Sequence, residues 1–121
     1  MSAAGKLRIK LQVMCGEEIA MGPGKADLLD AIMTAGSISA AARRIGMSYR
    51  RAWMLVDVMN RCWREDVVET GGGGRGAQVT AYGRIVLAHY RKLQQAASGA
   101  ARRAGEAMLE EGLRDAPRDP R

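Results

Sequence analysis

One short stretch of the chain concentrates positive charge: Arg43, Arg44, Arg50 and Arg51 lie within nine residues, with no acidic residue among them. A guanidinium group binds phosphate through paired hydrogen bonds, and it binds the O6/N7 edge of guanine in the same way. The cluster therefore favours a surface that faces a polyanion. A solvated basic surface without a partner is the alternative that charge alone leaves open.

The charge of the whole chain is also uneven. The 121 residues include 19 basic and 13 acidic side chains, which gives a net charge of +6. Residues 1–64 hold 10 basic and 5 acidic side chains, whereas residues 65–121 hold 9 and 8. A basic half joined to a nearly neutral half indicates a surface that faces a polyanion rather than a charge that serves general solubility.

Residue types suited to catalysis or metal binding are scarce. His89 is the only histidine, and Cys15 and Cys62 have neither CxxC nor Cys/His ligand spacing. Because no carboxylate pair or Cys/His pair stands out, we expect no enzyme, no metal site and no cofactor. The chain shows no charged leader with an apolar core and no run of membrane-spanning length, so we expect reduced thiols in a cytoplasmic protein without a membrane partner.

The hydrophobic pattern predicts a mainly α domain with a small amount of β structure. Residues 6–14 alternate apolar and polar side chains, which is typical of a half-buried strand, and a turn at Gly16 with a short return strand would complete an N-terminal hairpin. Pro23 suits the first turn of the following helix. The predicted apolar side of that helix consists of Leu28, Leu29, Ile32 and Met33.

Two further helices are predicted around a tight turn. Ser37 is a good N-cap for a short helix that Gly46 ends, and Ser48 caps a longer one. The predicted buried positions are Ile38, Ala41, Ala42 and Ile45 in the short helix and Ala52, Leu55, Val56, Met59 and Trp63 in the longer one. Such a pair forms a helix-turn-helix, whose second helix enters the DNA major groove by its N-terminal end.

Residues 66–80 predict a β-hairpin wing, with two short strands and a glycine-rich tip that carries Arg75. A plain solvated hairpin turn is one alternative for "GGGGRG". A nucleotide-phosphate loop is another, but no Lys-Ser/Thr pair follows its last glycine and no long helix begins there. The wing completes a winged helix-turn-helix.

Thr80 is predicted to cap a long helix that reaches about residue 113. Its small apolar residues follow a near-heptad spacing, which favours a homodimer, while packing of the helix on its own domain is the alternative. This seam consists of Val86, Tyr90, Leu93, Ala97, Ala100, Ala104 and Ala107. We therefore assign residues 1–95 to the winged helix-turn-helix domain, 96–114 to a continuation of the helix for dimerisation, and 115–121 to a disordered tail.

Several side chains around the turn are candidates for DNA contacts. Arg50 and Arg51 can reach phosphates or guanine, Ser48 and Tyr49 can add hydroxyl donors, and Met54 can touch a thymine methyl group or a neighbouring helix. On the supporting helix, Arg43 and Arg44 either hold phosphates or are solvated. Arg75 would lie in or beside the minor groove. The spacing places both tryptophans, Trp53 and Trp63, in the core rather than on a base-stacking platform.

The segments "GSISAAARRIGMSYRRAWMLVDVMN" and "VVETGGGGRGAQVTAYGRIVLAHYRKL", with the preceding hairpin and helix, closely resemble the N-terminal DNA-binding domain of ModE-type molybdate-responsive transcription regulators. The resemblance covers about residues 7–95 and is most specific in "SYRRAW…MN", the glycine-rich run and "T.YG". LysR-type regulators share the "GS.S.AA" opening of this helix-turn-helix but lack the tyrosine–tryptophan spacing and the leading hairpin.

The resemblance implies a regulator that binds a palindromic operator as a homodimer. Carried over by position, it makes Ser48, Tyr49, Arg50 and Arg51 contacts of the DNA-reading helix, places Ser37 and Ser39 near phosphate, and assigns Arg75 to the wing. Full-length members of the family continue into a region that binds molybdate or tungstate, and we expect this chain to act without such a domain.

The expected partners are double-stranded DNA and a second copy of the chain, with other transcription proteins as further candidates. The alternative function is a winged-helix module that docks proteins through its long helix and does not itself bind DNA.

Overall fold

The computed structural model describes residues 6–71 and 76–120. The chain divides into two compact units, a main unit of Lys10–Lys92 and a terminal unit of Met1–Ile9 with Leu93–Arg121. Arg75 lies outside the described residues.

The described elements are four helices, two small sheets and one short π-helical segment. In chain order they are β1 (Val13–Cys15), β2 (Glu18–Met21), α1 (Pro23–Ala35), α2 (Ile38–Arg44), α3 (Tyr49–Cys62), β3 (Val68–Thr70), β4 (Ala77–Val79), α4 (Ala81–Ala104) and the π-helical Met108–Gly112. Strands β1 and β2 pair antiparallel, as do β3 and β4. Helices α2 and α3 with the β3–β4 hairpin form a winged helix-turn-helix, so the predicted fold class is confirmed.

The N-terminal hairpin is shorter than predicted. Gly16 lies in the left-handed region at φ +59°, which allows the tight turn between β1 and β2. Residues 7–14 do alternate between half-buried and exposed, but β1 begins only at Val13, so the strand predicted over residues 6–14 was too long. Alternation reports which side chains face the protein, whereas a strand also requires a partner for its backbone hydrogen bonds.

Short-range signals locate the starts of the helices correctly. Pro23 occupies the first turn of α1, and the N–H of Gly36, at φ +79°, donates to the carbonyl of Ile32 at 2.9 Å to end it. The Ser37 hydroxyl accepts from the N–H of Ala40 at 3.1 Å, and the Ser48 hydroxyl accepts from the N–H of Arg51 at the same distance. Both predicted N-caps are confirmed.

The core of the main unit combines large side chains of α1 and α3 with the small residues of α2. Ala41, Ala42 and Ala52 are fully or almost fully buried, which lets the helices of the helix-turn-helix approach closely. The largest fully buried side chains are Met21, Leu28, Leu29, Ile32, Met59, Val67 and Val68. Two residues predicted to be buried, Met33 and Ile45, are exposed: Met33 lies at the edge of the buried side of α1, and Ile45 is the C-cap residue of α2, where the helical periodicity ends.

The long helix begins where predicted and ends earlier. The Thr80 hydroxyl accepts from the N–H of Gly83 at 2.9 Å and donates to the carbonyl of Asp66 at 2.7 Å, so it caps α4 and ties it to the wing. Helix α4 ends at Ala104, before Gly105, rather than near residue 113, in keeping with the low helix propensity of glycine. None of the described helices is long and apolar enough to cross a membrane.

Each unit contains one further contact between residues that are far apart in sequence. In the terminal unit, Lys6 Nζ forms an ion pair with the Asp115 carboxylate at 2.9 Å. In the main unit, Cys15 and Cys62 are free thiols that lie within hydrogen-bond reach of one another, although 47 positions separate them in sequence. Burial raises the pKa of the Cys62 thiol, and the hydrogen bond with Cys15 adds to the effect.

Candidate nucleic-acid interface

The first turn of α3 presents uncompensated positive charge to solvent. Arg50 and Arg51 are exposed, and no ion pair among the described residues includes either of them. Tyr49 is 54% exposed and Met54 is 59% exposed on the same part of the helix. The Ser48 hydroxyl caps the helix by accepting from the N–H of Arg51, which fixes the backbone of this turn. The long side chains of the turn extend into solvent.

The second half of α3 differs from the first. Arg61 donates from Nε to the Asp57 carboxylate at 3.0 Å, one turn away on the exposed face, and this contact raises the pKa of Arg61. The pair is fully solvated and adds little stability. The pair does affect the electrostatics of α3: positive charge is neutralised near the end of the helix and remains concentrated at its start.

A surface groove of about 390 Å³ lies beside this first turn. It is lined by residues of α3, of the start of α2 and of the wing, among them Ser37, Ser39, Tyr49, Trp53, Thr70 and Gly76. The structure thus brings together three predicted site residues and the base of the wing, which are distant in sequence. We call this surface the aromatic groove.

Backbone hydrogen bonds fix the wing beside the aromatic groove. The N–H of Ala77 donates to the carbonyl of Gly36 at 2.9 Å, next to the start of α2, and the N–H of Gly71 donates to the carbonyl of Gly76 at 2.9 Å. Thr70 pairs with Ala77 across the hairpin. Glu69 pairs with Gln78 on the opposite face, because successive residues of a strand alternate faces, so the acidic side chain of β3 points away from the groove.

Trp53 corrects the sequence prediction. It was expected in the core, but it is 44% exposed and lines the aromatic groove. Trp63 was expected in the core as well; it packs against the core, and its indole N–H donates to the carbonyl of Ala20 at 2.9 Å. Trp53 lies beside the buried stripe of α3, and only the position of the wing decides whether a residue there is covered. Periodicity could not reveal this.

The remaining predicted site residues are distributed around the groove. Arg43 donates from Nη1 to the Ser39 hydroxyl at 3.1 Å, which places its guanidinium group at the rim. Arg44 is exposed at the last turn of α2 and does not line the groove. Arg75 belongs to the part of the wing that the structure does not describe. Within residues 6–71 and 76–120, no group of three His, Cys, Asp or Glu residues is placed to hold a metal ion.

Comparisons with known proteins agree with the motifs. The chain is 44% identical over 70 residues to the molybdenum transport protein ModE of Azotobacter vinelandii, a match that covers 55% of this chain and 26% of that protein. It is 38% identical over 98 residues to the DNA-binding transcriptional dual regulator ModE of Escherichia coli (strain K12), covering 78% of this chain and 36% of that protein. The chain therefore spans roughly a quarter to a third of these relatives. No protein-family model matches it.

A solved structure supports the fold assignment. The crystal structure of the CbnR_DBD-DNA complex superimposes with a TM-score of 0.57 at 23% identity, covering 69% of this chain and 94% of that chain. At this identity the likeness concerns the fold. The resemblance to ModE-type regulators is confirmed by the curated relatives.

Proposed function

We propose that this chain is a sequence-specific, double-stranded-DNA-binding transcription regulator that acts in the cytoplasm and is not an enzyme. The observation that carries the proposal is the exposed first turn of α3, where Arg50 and Arg51 form no ion pair with any described acidic residue and the aromatic groove lies alongside. One of its relatives is named as a DNA-binding transcriptional regulator, which supports the same function.

In this proposal Arg50 and Met54 read base edges in the major groove, and Arg51 binds either a base edge or a backbone phosphate. A bidentate contact between a guanidinium group and guanine contributes about 1–3 kcal/mol of discrimination, and the methionine side chain contacts a thymine methyl group. The hydroxyl-bearing and basic residues around the groove position the DNA backbone. They are Ser37, Ser39, Arg43, Arg44, Ser48 and Tyr49, with Arg75 contributing from the wing.

We further propose a homodimer on a palindromic operator. Leu93 is 47% exposed, and Ala100 and Ala104 are also exposed, so part of the seam on α4 presents small and apolar side chains to solvent. Close approach of a second copy would cover them. Sedimentation at micromolar concentration is expected to give twice the 13.0 kDa mass of the chain, and a 13.0 kDa species would refute the dimer.

DNA binding is tested by titrating duplex DNA at several salt concentrations. Each phosphate that the protein neutralises contributes about −0.9 to the slope of log K against log [salt], so we expect a steep loss of affinity with salt. The double variant Arg50→Ala/Arg51→Ala should lose both affinity and sequence preference. Arg61→Ala, which changes an exposed arginine on the same helix, is the matched control and should bind normally. A flat salt response in the wild type would contradict the proposal.

Trp53 offers a second readout, because the chain has only two tryptophans. In a Trp63→Phe variant that remains folded, fluorescence reports the aromatic groove alone. Duplex DNA is expected to change the emission and to protect Trp53 from acrylamide quenching. Selection of bound sites from random duplexes then gives the operator, and two half-sites about 34 Å apart, or a multiple of that distance, would support the symmetric dimer.

A further inference from the structure

A second surface of the main unit collects positive charge in a way that the helix-turn-helix alone does not explain. A cleft of about 170 Å³ lies where the start of α1 meets the first turns of α3. Its lining includes Lys10, Gln12, Gly22, Gly24, Lys25 and Arg51, and none of the residues that line it is acidic. The volume is well below the roughly 300–1,000 Å³ of pockets for drug-sized ligands, so any occupant is small.

Lys25 is the unusual member of this cleft. It is only 8% exposed, and it has no hydrogen bond or ion pair within the part of the chain that the structure describes. Burial lowers its pKa, and the charge of Arg51 lowers the pKa further, while Cys62 and Glu18 act in the opposite direction from beyond ion-pair distance. Its stem is buried, but its ammonium nitrogen reaches solvent, because no buried side-chain nitrogen or oxygen among the described residues lacks a hydrogen-bond partner.

The position of Lys25 within α1 is also unfavourable. It is the third residue of the helix, where the helix dipole is positive and acidic residues are preferred. The helix has no acidic residue in its first turn and no side-chain cap at Gly22. The N–H groups of the first turn, those of Gly24 and Lys25, have no partner within the helix. Burial, the helix dipole and the charge of Arg51 disfavour a cation here, while Glu18 and Cys62 act in the other direction. A bound anion would give the ammonium group a partner of opposite charge.

We propose that this cleft binds one tetrahedral oxyanion of the phosphate type, held by Lys10, Lys25, Arg51 and the first N–H groups of α1. Phosphate at the start of a helix beside basic side chains is a favourable arrangement. The oxyanion has two sources, a phosphate of the DNA backbone or a free ion. Only the first source rests on the proposed DNA-binding function.

Thermal unfolding in sodium phosphate and in sodium chloride of equal ionic strength tests the free-ion source. Because a ligand stabilises the state that binds it, we expect 50 mM phosphate to raise the Tm of the wild type by about 3 °C or more over chloride. In Lys25→Met this phosphate-specific rise should vanish, while the Tm in chloride should exceed that of the wild type. Lys92→Met, which changes an exposed lysine of the main unit, should keep the rise. The amide resonances of Gly24 and Lys25 should shift saturably with phosphate in the wild type.

The DNA source is tested by the salt dependence of duplex binding. If the cleft takes a backbone phosphate, Lys25→Met should reduce the slope of log K against log [salt] by about 0.9, and it should do so for operator and random duplexes alike. Lys92→Met should leave the slope unchanged. The oxyanion site is refuted if Lys25→Met alters neither the phosphate-specific Tm nor the slope. Failure of the DNA proposal gives a different result, since the wild type would then bind no duplex while its response to phosphate persists.

Discussion

Replacing Asn60 by alanine is expected to lower the free energy of unfolding by about 2–4 kcal/mol, because its side chain hydrogen-bonds backbone groups of Val67 and Val68 on the side of the wing that faces away from β4. In the β3–β4 ladder, the N–H of Thr80 donates to the carbonyl of Val67 at 3.0 Å and the N–H of Gly71 donates to the carbonyl of Gly76. Antiparallel strands alternate hydrogen-bonded and non-bonded pairs, so Val68 between them directs its N–H and carbonyl away from β4.

Asn60, on α3, supplies the missing partners on that side. Its Oδ1 accepts from the N–H of Val67 at 2.8 Å and from the N–H of Val68 at 3.2 Å, and its Nδ2 donates to the carbonyl of Val68 at 2.9 Å. Val67 and Val68 are at most 2% exposed. A buried backbone group left without a partner costs about 1–3 kcal/mol, so three such groups with no access to water would cost about 3–9 kcal/mol. Asn60 is itself half-buried, so in the alanine variant water reaches some of the freed backbone groups. The expected loss of unfolding free energy is therefore lower, at about 2–4 kcal/mol.

The assay is thermal and urea unfolding followed by circular dichroism. For a chain of this size the loss corresponds to a Tm lower by about 8–16 °C. Asn60→Asp keeps the acceptor oxygen and loses one donor, so its loss should be smaller. Arg61→Ala, at the next position of the helix but in a solvated pair, should melt close to the wild type. If Asn60→Ala melts within a degree of Arg61→Ala, the argument that α3 supports the wing through this side chain is refuted.

Two further predictions concern α4. A Cβ at Gly83 would overlap the carbonyl of Val67 and lie 2.9 Å from Val79, so Gly83→Ala should lower the free energy of unfolding in urea by about 1–3 kcal/mol. Gly99→Ala, at a roomier position of the same helix, should raise it by up to about 1 kcal/mol. Equal effects of the two substitutions would contradict the packing argument. The Tyr90 hydroxyl donates to the carbonyl of Leu11 at 2.8 Å, and burial raises the pKa of Tyr90. The contribution of the protonated hydroxyl to folding stability is therefore complete below the pKa of the unfolded state, near 10, and is lost as the pH rises above it. Tyr90→Phe should therefore lower the Tm at pH 7, and this difference from the wild type should shrink above pH 10; a constant difference would count against the assignment.

The parts of the fold that the sequence predicted well depend on interactions between near neighbours in the chain. Ser37, Ser48 and Thr80 each cap a helix within three residues, and Gly16 and Gly36 adopt conformations that other residues rarely take. The order of the elements and the fold class follow from such signals. The predicted DNA contacts likewise follow from charge at a capped helix start, and their roles remain predictions for the binding experiments.

The sequence by itself determined the helices and turns, the charge at the start of α3 and the resemblance to ModE-type regulators. Only the tertiary structure decided that Trp53 lies in a groove, that Lys25 lines a cleft with no ion pair to any described residue, and that Cys15 lies near Cys62. The physical reason is that caps and periodicity arise from contacts a few residues apart, which the sequence displays directly. Exposure and charge pairing depend on which distant segment covers a side chain, and that is fixed only when the whole chain packs.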